Sequence, residues 1–188
     1  MVKIKYTKFM SAFILKLVDE SIVPAVLLFA TKVIGLILTA RFLGISLTIA
    51  DKSLYFARYQ DLVLANNISN IMVGLVALIG TSIVLIRLYH FHDSHIHPSF
   101  LTKLLESDLE FVISTSFDLF HQVAVWLSLG FFITASFFVQ AVFGLTSPFI
   151  LFVSLFVLVL LCVMAVLDFE REVKIESKGL PSFFVSKN

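Results

Sequence analysis

Apolar positions in this chain come in long unbroken runs, and short charged stretches mark where each run ends. Residues 119–167 contain no Asp, Glu, Lys or Arg. As one helix these 49 residues would extend about 74 Å, more than twice the roughly 30 Å hydrocarbon core of a bilayer. The run must therefore reverse, and Gly144-Leu145-Thr146-Ser147-Pro148 carries the chemistry to do so. Gly144 can take the left-handed conformation that closes one helix. Ser147 can cap the next, with Pro148 at its first position, where a missing N–H costs nothing. The pattern predicts a helical hairpin with spans of about 117–143 and 148–167.

Upstream, the uncharged run between Asp61 and Arg87 predicts another span, about 62–88. Gly74, Ala77 and Gly80 lie within it at helical spacing, where small side chains let a neighbouring backbone approach. Glycine and alanine are also simply common in membrane helices, which is the competing explanation. A first span, about 21–43, is apolar except for Lys32, with Asp19 and Glu20 before it and Arg41 after it. Ser21 or Glu20 can cap it, and Pro24 falls in its first turn. Apolar character resumes over 43–50, so one long tilted helix reaching Ala50 also fits.

Residues 1–20 carry Lys3, Lys5, Lys8 and Lys16 among apolar positions and read as an interfacial amphipathic segment. A cleaved signal peptide fits less well, because Lys16 interrupts the apolar stretch and no small-x-small site follows. Ahead of the third span, Ser107-Asp108-Leu109-Glu110 reads as a capping box, and a bend is expected at Ser114-Thr115-Ser116. Residues 168–188 mix both charge signs and read as a helix end entering water, fraying after Gly179 and Pro181.

Composition agrees with the pattern. Hydrophobic residues make up 59% and charged residues 14%, with a mean hydropathy of +1.01. A soluble domain is nearer half apolar and a quarter charged, so this chain cannot cover a water-facing globule. Cys162 is the lone cysteine, which excludes an internal disulfide. The fold class predicted is all-α: a single polytopic membrane domain with four transmembrane helices, the last two forming the hairpin.

The net charge of +1 hides an asymmetry. With four spans, the N-terminus, the 87–117 connection and the tail share one side. That side holds Lys3, Lys5, Lys8, Lys16, Arg87, Lys103, Arg171, Lys174, Lys178 and Lys187; the other holds Arg41, Lys52 and Arg58. The positive-inside bias then predicts both termini in the cytoplasm or its organellar equivalent.

Candidate chemistry is concentrated in histidine. His90, His92, His95 and His97 lie close together before Pro98, and His121 opens the third span. Imidazole is the commonest side-chain metal ligand. Asp118 stands three residues before His121, a carboxylate-x-x-His spacing used in bundle metal sites. One expectation is therefore a zinc or other divalent-metal site from Asp118, His121 and some of His92, His95 and His97, with haem as a second version. The competing expectation is plain solvation at a headgroup boundary, since no metal-binding motif is present and Pro98 favours a loop here.

Lys32 is the other feature. An ionisable group within a span is costly, so it points to pairing with Asp118, an anion or a partner's carboxylate. Snorkelling of its four-carbon stem toward an interface is the alternative. Asn66, Asn67, Ser69, Asn70, Gln122, Thr134, Ser136 and Gln140 could line a polar path, although hydrogen bonding between helices is their commoner use. Asn67-Ile68-Ser69 formally matches a glycosylation acceptor, set close to the membrane.

No nucleophile motif, phosphate-binding glycine loop or dinucleotide fingerprint supports catalysis, and no basic stripe supports nucleic-acid binding. Two function classes remain. One is a non-enzymatic accessory or structural subunit that packs in the bilayer against other membrane subunits. The other is a small ion or metal transporter or channel, homo-oligomeric because four spans rarely enclose a path, using Lys32, Asp118 and the histidines.

Overall fold

A computed structural model describes residues 2–50, 53–95 and 109–179, and side chains over 15–48, 55–91 and 118–170. Four long helices dominate: α1 Val2–Phe42, α2 Tyr59–His95, α3 Leu109–Val142 and α4 Pro148–Gly179. Each contains a segment long and apolar enough to cross a membrane: Leu15–Phe42, Tyr59–Phe91, Asp118–Val142 and Pro148–Glu170. The predominantly helical class and the four candidate spans thus follow the charge gaps of the sequence.

Helix α2 is the hub. It packs along α1, against α3 and against α4, while α3 also packs on α4 and part of α1. The apolar core gathers Val84, Leu85 and Leu88 of α2 with Leu119 and Val123 of α3 and Leu161 of α4. Most other large apolar side chains point outward, among them Phe149, Phe152 and Phe156 along α4. Only 6% of the most apolar window of that helix is buried. A water-soluble bundle would invert this arrangement.

The α3–α4 turn forms as the sequence requires. Gly144 has φ of 70°, and Leu145 N donates to Gln140 O at 2.8 Å, closing α3. Pro148 opens α4, and Ser147 O accepts the Ile150 N–H at 3.0 Å.

Four local expectations are corrected. Residues 43–50 do not extend α1. Gly44, with φ of 64°, ends the helix, and β1 Leu47–Ala50 pairs antiparallel with β2 Ser53–Phe56, from Leu47↔Phe56 to Ala50↔Ser53. Both strands draw on residues that favour a pleated surface, Thr48 and Ile49 against Tyr55 and Leu54. Second, α1 does not begin near Ser21 but runs continuously from Val2, with Pro24 well inside. Ser21 therefore does not cap; its Oγ donates to Val18 O at 2.8 Å within the same helix. Third, α2 continues through His95 instead of opening into a loop at His90. No Gly or Pro interrupts residues 87–95, and Pro98 constrains only its direct predecessor. Helix α3 likewise runs unbroken through Ser114-Thr115-Ser116.

Candidate functional site

On α1, the buried positions Leu28, Gly35 and Thr39 follow helical spacing, and Lys32 falls on the same stripe. That stripe faces α2. Gly35 makes the approach close: a Cβ there would lie 3.3 Å from Ser69 Cα and 3.1 Å from Met72 Sδ. Ser69 Oγ donates to Lys32 O at 2.9 Å, tying the two helices at the lysine itself.

Asn66 and Asn70 stand four residues apart on α2, so their side chains share one face. Lys32 Nζ donates to the Oδ1 of each at 2.5 Å, and Asn66 O lies 3.5 Å from the same nitrogen. The amide groups are held in that orientation by their other ends. Asn66 Nδ2 donates to Gln140 Oε1 and to Leu145 O, both at 2.7 Å. Asn70 Nδ2 donates to Gln140 Oε1 at 2.9 Å and to Thr146 Oγ1 at 3.0 Å. Asn67 Oδ1 accepts from Thr146 Oγ1 and from Ser147 N, each at 2.8 Å. Gln140 Nε2 closes the chain by donating to Ser136 Oγ at 3.0 Å.

Three helices and the α3–α4 turn are thus locked around one ammonium, with Ser69 and Asn70 fully buried. Lys32 does not pair with Asp118: its nitrogen lies against Asn66 and Asn70 of α2. Lys16 pairs with Asp118 instead. It lies 16 residues earlier on α1, about 24 Å away along the axis, which places Lys32 far from Asp118. Among the described residues, every oxygen bonded to Lys32 Nζ is neutral.

A second polar group lies near the other end of α3. Glu20 sits 3.8 Å from both Lys16 Nζ and His121 Nε2. His121 is buried, whereas Asp118 is 54% exposed at its side chain. The carboxylate and the imidazole that share α3 are therefore turned to different surroundings. Among the described residues no group of three or more His, Cys, Asp or Glu could hold a metal. The side chains of His92 and His95, and all of His97, lie outside the described residues. The cleft beside this group, about 280 Å³, is lined by Glu20, Pro24, Gln122, Val125 and Trp126.

The small residues of α2 divide in use. A Cβ on Gly80 would strike the Trp126 ring, so the indole rests on bare backbone there. Nothing lies within 4 Å of a Cβ on Gly74; with Ala77 it lines a cleft of about 330 Å³ between α2, α3 and α4. Thr134 Oγ1 and Ser154 Oγ, 2.8 Å apart, join α3 to α4 along that cleft.

Sequence reasoning missed Gly35 as a contact point, although its place on the Leu28–Thr39 stripe could have shown it. No protein-family model matches the chain, and no curated protein or solved structure matches it either.

Proposed function

We propose that the protein is a non-enzymatic accessory or structural subunit of a membrane assembly, packing in the bilayer against partner membrane proteins. Both termini lie on the cytoplasmic or equivalent face in this reading, following the distribution of Lys and Arg. One observation carries it: the polar groups of the span interiors tie this chain's own helices together, while wide apolar faces stay uncovered. The most apolar windows of α1 and α4 are only 17% and 6% buried. Faces of that extent meet either lipid tails or other membrane helices, and association there proceeds by close packing and a few polar contacts.

The alternative, a small oligomeric transporter or channel using Lys32, Asp118 and the histidine cluster, draws its support from the intramembrane lysine. Its polar groups form two separate clusters. His121 and Gln140 are 19 residues apart on α3, about 28 Å along the axis. Between them lie Trp126, Leu127 and Phe137, with Thr134 bonded to Ser154 of α4.

Native mass of the purified protein in nanodiscs separates the two. The expected result is an assembly heavier than the 21.1 kDa chain that contains unrelated membrane subunits. A homo-oligomer that conducts ions in liposomes would replace this reading with the transporter.

A further inference from the structure

Among the described residues, the charge of Lys32 is solvated by neutral oxygens only. Its ammonium has three donors; Asn66 and Asn70 take two at 2.5 Å, and the third nearby oxygen, Asn66 O, is 3.5 Å away. Both amide nitrogens are committed to Gln140, Leu145 and Thr146, so neither asparagine can turn to release the lysine without breaking bonds to α3 and its turn. The cradle is therefore built for a cation, with dipoles only. In a medium of low dielectric, a cation held by dipoles still attracts a full negative charge strongly.

We infer that Lys32 receives a carboxylate from a membrane helix of a different protein, which docks against the flank of α1. This rests on the accessory-subunit reading and specifies the partner's chemistry. Lys32 retains part of its surface uncovered, and Phe29, one turn earlier on α1, is 72% exposed. This flank of α1 is thus open to a neighbouring helix. A second copy of this chain has no acid within its spans to supply the charge. Residues 21–40, 62–86 and 119–167 contain no Asp or Glu, so all its acids lie near or beyond span ends. The partner is a chain with an Asp or Glu inside an apolar span, at the depth of Lys32.

The test uses the native assembly purified from its membrane. Treatment with dicyclohexylcarbodiimide, a lipid-soluble reagent, activates an intramembrane carboxylate, and an adjacent amine then displaces the urea to form an amide. Mass spectrometry should find Lys32 joined to an Asp or Glu within an apolar segment of the partner. Lys32→Gln keeps a donor for the asparagines but removes the charge, and should lower the recovered partner at least tenfold. Lys32→Arg keeps the charge and should retain the partner. Circular dichroism melts of the variants check that each is folded; if Lys32→Gln is not, the cross-link and Lys32→Arg decide. Absence of the cross-linked peptide, or full recovery of partner with Lys32→Gln, overturns the inference and leaves the accessory reading standing. A wild-type chain that purifies with no other subunit overturns both.

Discussion

Replacing Gly80 by alanine puts a methyl group where the indole of Trp126 lies. The new carbon would stand 2.6 Å from Trp126 Cζ2 and nearer still to Cζ3 and Cη2. Ordinary carbon contacts begin near 3.5 Å, so ring and backbone must separate by roughly 1 Å. The ring is rigid and wedged between α2 and α3, and overpacking of this kind costs about 1–3 kcal/mol. Gly74→Ala is the matched control, since nothing lies within 4 Å of its Cβ. Both substitutions gain the same helix preference of alanine over glycine, about 0.5–1 kcal/mol. That gain cancels in the comparison and leaves about 1–3 kcal/mol between the two variants. For a chain of this size the difference corresponds to about 2–4 °C in melting midpoint for each kcal/mol. Circular dichroism melts in matched micelles measure it. Trp126 is the single tryptophan, so its emission reports the same contact independently. Gly80→Ala should melt below wild type and Gly74→Ala above it, and in a Trp126→Ala background Gly80→Ala should lose its penalty. Equal midpoints for the two glycine variants would show that the indole does not sit on Gly80.

Other predictions follow the same geometry. Asn70→Ala removes three side-chain bonds, to Lys32, Gln140 and Thr146, and at about 0.6 kcal/mol each within a bilayer should cost about 2 kcal/mol in unfolding assays. Gly144→Ala forces a side chain into the left-handed region at φ of 70° and should cost about 1–2 kcal/mol, read as a lowered melting midpoint. Lys16→Ala breaks the pair with Asp118, but both side chains are about half exposed, so the cost should stay below about 1 kcal/mol and vanish at high salt. Zinc should leave the midpoint unchanged, because Asp118 is engaged by Lys16 and His121 faces Glu20; a rise, with zinc found by elemental analysis, would support the metal site.

Much of this arrangement was written locally in the chain. The α3–α4 turn was legible because Gly144 and Pro148 each restrict their own backbone, whatever surrounds them. Span limits were legible because a charge is costly in hydrocarbon wherever the helix sits. The strands β1 and β2 were not, since their residues are as apolar as a continuing helix and Gly44 alone marks the break. The surroundings of Lys32 depend on rotation of α2 about its axis. The pairing of Asn66 with Asn70 at i, i+4 showed a polar face on α2, but only packing reveals which neighbour it meets. Asp118 and His121 have the helical spacing read from the sequence, but their unequal burial depends on what packs against α3.

The asparagines of α2 also bear on how the chain is made. Synthesis proceeds from the N-terminus, so Lys32 is made before Asn66 and Asn70 exist to receive it. Those residues in turn wait for Gln140 and for Leu145, Thr146 and Ser147. In a chain arrested before that turn, the asparagines would lack these partners. Completion of the last hairpin and closure of the polar network are therefore a single event.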